Sequence, residues 1–218
     1  MRLSIDGVER AFAPEVLVVI GYAGRDRAAV EHHIDELAEL GVPRPASIPL
    51  FMVFPPWLLS QAPSIVVAGP ASSGEAEIVV VVDGDEVFAT VGSDHTDRVL
   101  EAVDIVASKG VCPKPVATSG WPAAAVSGRW EDLTLSSRID GGVAYQDGSA
   151  GANLPPLELV AAIPWAGPRP RCFAAFTGTV PVIGDIRPSS SFAATLAGPG
   201  LPPLELNYRV ETVPPLAG

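Results

Sequence analysis

From Glu15 to Gly24 the chain reads EVLVVIGYAG, an apolar run that ends in glycines, and this predicts a buried strand. The next sixteen residues, DRAAVEHHIDELAELG, change period. Val30, Ile34, Leu37 and Leu40 fall on one face at 100° per residue, which predicts a helix with Asp26 as N-cap. Gly41 is its stop signal, and Pro43 follows. The stretch VPRPASIPLFMVFPPWLLSQ is punctuated by prolines and predicts irregular chain. From Ser64 onward the pattern becomes short apolar runs broken by Gly and Pro. SIVVAG, EAEIVVVV, EVFATVG, LTLSSRIDG, CFAAFTGT, FAATLAG and LELNYRVE are the predicted strands. DRVLEAVDIVASKG and LPPLELVAAI predict short helices. The fold class is therefore α+β, mostly β, with a helical N-terminal element. No linker is long enough to divide residues 1–218, so one domain is expected.

Composition narrows the partners. The formal net charge is −11, which repels phosphate backbones and anionic membrane surfaces. No uninterrupted apolar stretch predicts a transmembrane helix, and MRLSIDGVER lacks the apolar core of a signal peptide. Cys112 and Cys172 do not make a disulfide framework. The expectation is a cytoplasmic protein with free thiols, bound to neither nucleic acid nor membrane.

One stretch resists a purely structural reading. GEAEIVVVV, from Gly74 to Val82, opens an apolar strand with two acids. Residues two apart in a strand share a face, so Glu75 and Glu77 project together, about 6.6 Å apart along the chain. Two like charges beside a Val-rich core are costly unless offset, and a hard divalent cation would offset them. Two solvated acids at an exposed strand start would also fit. Downstream, GSDHTDR sets Asp94, His95, Asp97 and Arg98 in a turn. Asp94 can supply a third oxygen, or Asp94 or Thr96 can cap the helix that follows. In the predicted helix, His33 falls within the apolar stripe and His32 faces solvent. Glu36 is one turn from His33, within reach of it. Such a pair can activate water as a general base, or can be a satisfied core histidine with a boundary glutamate.

Taken in order, these segments resemble the fumarylacetoacetate hydrolase superfamily over about 200 residues. IGYAGRD and HIDE resemble its Gly-rich turn and His-x-x-Glu dyad. GEAEIVVVV resembles its Glu-x-Glu metal strand, and SDHTDR its Asp-x-Thr-x-Arg turn. SKGVCPKPVA resembles the segment of its active-site lysine. YQDGSAGANLPPLELVAAI and FTGTVPVIGDIRP resemble its Gln-x-Gly segment and Thr-Gly-Thr turn. The likeness is to a small branch described only as a domain of unknown function.

The resemblance implies a mixed β-roll and a homodimer. It implies one Mg²⁺ (or Mn²⁺) held by Glu75, Glu77 and Asp94, with His33 and Glu36 as the dyad. It also implies Lys109 as an oxyanion stabiliser, and Arg25, Arg98, Gln146 and Thr179 as substrate-binding residues. The implied activity is cleavage of a C–C bond in a β-dicarbonyl or acylpyruvate-type 2-oxo acid. A lyase on the same scaffold (decarboxylase, dehydratase or isomerase) is the alternative, ahead of a non-catalytic binding protein. The chain departs from the family pattern at RDRAAVE, in the short stretch from Glu77 to Asp94, and at KGVC. All three departures bear on the substrate.

Overall fold

Ala76 to Val82 are buried without a break, as a strand covered on both faces requires. A computed structural model of the chain describes residues 1–39 and 43–213, apart from the side chains of His33, Glu36 and Leu37. The chain begins with β1 (Arg2–Ile5), β2 (Val8–Ala11), β3 (Val16–Gly21), α1 (Arg27–Glu39) and β4 (Leu50–Phe54). Next come β5 (Leu59–Ser60), β6 (Ser64–Val67), β7 (Ser72–Ser73), β8 (Ala76–Asp83), β9 (Glu86–Ser93) and β10 (Thr96–Asp97). They are followed by α2 (Arg98–Glu101), α3 (Ile105–Gly110), β11 (Lys114–Pro115), β12 (Ser119–Pro122), β13 (Thr134–Ile139), β14 (Val143–Ser149) and α4 (Pro156–Ala161). Strands β15 (Cys172–Thr179), β16 (Ser191–Ala197) and β17 (Leu204–Thr212) close the fold.

Two mixed sheets carry the architecture. The larger has eight strands in the order β2-β1-β12-β9-β8-β15-β3-β4, and the smaller five in the order β14-β13-β16-β17-β6. Strand β8 lies inside the larger sheet, antiparallel to both β9 and β15. Its side chains alternate between cores, as period-two geometry demands. Ala76 and Ile78 join Leu135, Phe192, Leu196, Leu206 and Tyr208 from the smaller sheet. Val79 and Val81 pack with Leu17, Val19, Phe54 and Phe176. Val80 and Val82 pack with Ile20, Phe173 and with Leu159 of α4. Each fully buried Val contributes roughly 1.5–3 kcal/mol, so this strand is among the best anchored in the fold.

All eight predicted strands form, as do α1 and a helix at Pro156–Ala161. Asp26 caps α1, accepting from Ala28 N at 3.0 Å and Ala29 N at 3.1 Å. The stop at Gly41 lies outside the described residues. Three readings are corrected. The proline-rich stretch is not irregular throughout, because Leu50–Phe54 pairs with β3 as the edge strand of the larger sheet. The predicted helix at 97–110 is two helices, because Asp104 leaves the helical conformation and caps α3 through Val106 N and Ala107 N. The cap of α2 is neither Asp94 nor Thr96 but Asp97, which accepts from Val99 N and Leu100 N. Asp94 is thereby released from a capping role. Among the described residues, no helix is long and apolar enough to cross a membrane.

Candidate active site

Glu77 is the second residue of β8, on the face that carries Val79 and Val81 further along. It is only 3% exposed. Its carboxylate accepts at Oε2 from Gly178 N at 2.8 Å. That donor is aimed by an irregularity in β15, where the register with β8 shifts between Phe176 and Thr179. Gly178 has φ +99°, and a Cβ there would come within 2.9 Å of Ala23 Cβ, so the backbone can bring its N–H to Glu77 only without a side chain. Burial, with Asp94 nearby, pushes the Glu77 carboxyl well above its usual range.

Asp94 follows the end of β9, and its N–H donates to Glu75 O at 2.9 Å, so both acids of the strand head sit beside it. Asp94 is fully buried. Its Oδ2 accepts from Lys109 Nζ at 2.5 Å, and its Oδ1 lies 3.0 Å from Lys114 Nζ. Burial opposes its ionisation, but the two ammonium groups overcome that and hold the carboxyl well below the usual range. Burial likewise opposes the charge on Lys109, and Asp94 with Glu75 and Glu101 raises it above its ordinary value. Lys114 donates to His95 O at 2.5 Å, and burial lowers it.

One ligand oxygen from each of Glu75, Glu77 and Asp94 lies within 4.8 Å of the others. The donors are all carboxylate, and burial makes one of them, Glu77, harder to ionise. An oxygen-only cluster of this kind suits a hard divalent cation, and the residues fit one. Arg98 closes the side of the cluster. Its Nε donates to Ser73 Oγ at 2.7 Å, its Nη1 to Glu101 Oε2 at 2.7 Å, and its Nη2 lies 3.3 Å from Glu75 Oε1. Among the described residues Nη2 has no hydrogen-bond partner.

The cluster lines a cavity of about 590 Å³. Glu75, Glu77, Asp94, Arg98, Lys109 and Thr179 all face it, as do Tyr22, Ala29, Val30, Glu101, Ala102, Ile105 and Ile186. Two of the residues singled out from the sequence are elsewhere. Arg25 pairs with Glu131 on the surface. Gln146 is buried behind the site, where its Oε1 accepts from Ala76 N at 2.9 Å and Ser137 Oγ at 2.7 Å. Its Nε2 donates to Thr179 Oγ1 and Val180 O, both at 2.7 Å. It ties the head of β8 to the end of β15 rather than facing the cavity. Thr179 Oγ1 in turn donates to Ala76 O at 2.8 Å. The side chains of His33 and Glu36 lie outside the described residues, while His32 is exposed. Glu101 and Lys114 went unassigned in the sequence. Glu101 stands three residues from Arg98 on a helix, a spacing that could have found it. Lys114 has no such signal.

Known structures share this architecture. A candidate fumarylacetoacetate isomerase/hydrolase from Oleispira antarctica aligns over 95% of this chain and 98% of its own, with 19% identity and a TM-score of 0.71. A candidate fumarylpyruvate hydrolase from Burkholderia cenocepacia aligns over 98% and 95%, with 20% identity and a TM-score of 0.66. The 5-carboxymethyl-2-hydroxymuconate delta-isomerase from Mycobacterium smegmatis aligns over 96% and 84%, with 15% identity and a TM-score of 0.63. The chain has the fumarylacetoacetate hydrolase-like fold. Residues 20–207 match the family described as "Protein of unknown function (DUF2848)", and the chain belongs to that family. No curated protein matches it.

Proposed function

We propose that the chain is a divalent-metal-dependent hydrolase that cleaves a C–C bond in an acylpyruvate-type 2-oxo acid. The observation that carries this reading is the meeting of Glu75, Glu77 and Asp94 within 4.8 Å at a cavity of about 590 Å³, with Lys109 against Asp94. Structural neighbours named as hydrolases and an isomerase support an enzyme of this general kind. Glu75, Glu77 and Asp94 would hold Mg²⁺ or Mn²⁺. When bound, that ion supplies Lewis acidity to the oxo and carboxylate oxygens of the substrate. Arg98, paired with Glu75 at the edge of the cluster, adds positive charge near the substrate carboxylate. His33 takes a proton from water and Glu36 orients the imidazole, roles that rest on the sequence alone. Water adds to the acyl carbonyl carbon, the adjacent C–C bond breaks, and its electron pair stays on the 2-oxo acid fragment as an enolate. The Lys109 ammonium stabilises that negative charge, and carbon then takes up a proton. Gln146 positions β8 and Thr179 without touching substrate.

The test is the loss of ultraviolet absorbance of an acylpyruvate, compared with CO₂ release from oxaloacetate. Absorbance loss that needs Mg²⁺ or Mn²⁺ is expected, and CO₂ release alone would mark a decarboxylase instead. Glu77→Ala is expected to abolish metal binding in titration calorimetry, and unchanged metal affinity would defeat the reading.

A further inference from the structure

The charge inventory of the cavity says more than the acid cluster alone. Among the described lining residues there are five carboxylates, Asp26, Glu75, Glu77, Asp94 and Glu101, against two cations, Arg98 and Lys109. With all of these ionised the lining carries three net negative charges; Lys114, just behind it at 3.0 Å from Asp94 Oδ1, offsets one, and a divalent ion would balance the other two. Both cations are already engaged, Lys109 by Asp94 and Arg98 by Glu101 and Glu75. Arg25, the nearest further guanidinium in the sequence, is turned outward onto Glu131. Helix starts often receive anions, but each of the three beside this cavity is filled by the chain's own carboxylate. Asp26 caps α1, Asp97 caps α2 and Asp104 caps α3. Beyond the polar cluster and Tyr22, Asn153 and Thr179, the lining is largely apolar, with Ala29 and Val30 from α1, Ala102 and Ile105 from the α2–α3 wall, and Ile186.

We propose that this site takes 2-oxo acids with a single carboxylate and an uncharged, chiefly aliphatic remainder, and rejects those that end in a second carboxylate. The inference rests on the 2-oxo acid reading and narrows it. One carboxylate has a place, at the divalent ion that Glu75, Glu77 and Asp94 would hold. A second would enter a cavity lined by five carboxylates that, among the described residues, offers it no unengaged cation, so its desolvation is uncompensated. An alkyl chain meets Val30, Ile105 and Ile186 and gains by leaving water.

Two six-carbon acids that differ only at the far end separate the cases. Binding of 2-oxohexanoate and 2-oxoadipate to the full-length chain is measured by calorimetry with Mg²⁺ or Mn²⁺ in excess. The expected result is tighter binding of 2-oxohexanoate, by about tenfold or more. Glu101→Gln, which removes one of the five acids at nearly constant shape, is expected to narrow that ratio by about threefold. Equal or tighter binding of 2-oxoadipate by the wild-type chain overturns the inference while leaving the 2-oxo acid reading in place. Binding of neither acid defeats both. A correct preference in binding without turnover of any acylpyruvate supports the inference and defeats the hydrolase.

Discussion

At the scale of single residues, the polar groups beneath the cavity are as constrained as those that face it. His95 is fully buried next to Asp94, yet it points away from the acids. Its Nδ1 lies 3.0 Å from Tyr208 Oη and its Nε2 2.9 Å from Ser72 Oγ. Tyr208 Oη is also 2.8 Å from Ser93 Oγ. Burial first, then Lys114 and Arg98, push the imidazole down to about 3, so it is neutral at ordinary pH and needs one donor and one acceptor. Tyr208 meets that need from the smaller sheet. Tyr208→Phe keeps the ring but leaves a buried ring nitrogen and the Ser93 hydroxyl without this partner. A loss of about 1–3 kcal/mol is expected in urea unfolding, and a change within experimental error would contradict the account. The histidine that follows Asp94 in its turn is thus a strut between two sheets.

Among the elements, the pairing of β8 with β9 decides how the acids are held. Gly92 stands opposite Glu77 across that pair. A Cβ at Gly92 would lie 2.6 Å from Val79 Cγ2 and 2.7 Å from Phe176 Cε1, both in the closely packed interior. Gly92→Ala is expected to cost about 1–3 kcal/mol in stability and to weaken metal binding in parallel. A variant of unchanged stability and metal affinity would show that the close approach is unimportant. Elements of this kind were readable from the sequence. A run such as EIVVVV admits no solvent face, and a spacing of two places both glutamates on one side. The β1–β2 hairpin and β12 were not legible, since four-residue strands carry too little period. Strand β4 was hidden by the prolines around it. Its edge position explains their tolerance, because an edge strand has unpaired backbone on one side. Around the cavity, Glu75, Glu77 and Asp94 were singled out by short-range spacing, and Lys109 by the resemblance to a known family. The clamp by Gln146 was not, because its bonds to Ala76 and Val180 span 70 and 34 residues. Arg25 looked like a binding residue because it follows the Gly-rich turn, and only the position of Glu131 shows that it faces outward.

For the whole molecule, charge and stability are linked through the acid cluster. The chain carries a net charge of −11, and part of it is concentrated where Glu75, Glu77 and Asp94 meet. A ligand that binds only the folded state stabilises it, by about 2.7 kcal/mol at a hundredfold excess over its dissociation constant. Mg²⁺ or Mn²⁺ is therefore expected to raise the melting temperature of the native chain. The same ions should leave Glu77→Ala unmoved, and an equal shift in both would mean that they act elsewhere. The two walls of the cavity differ in how they are anchored. The acids stand at the head of a strand hydrogen-bonded on both sides and buried on both faces. The wall beside them, which carries Arg98 and Lys109, stands on a helix of four residues and one of six, with Val99, Val103 and Val106 turned to solvent. Local opening spares the first and favours the second. Opening of the cavity is therefore expected first on the α2–α3 side, past which a ligand would enter while the carboxylates at the head of β8 stay in register.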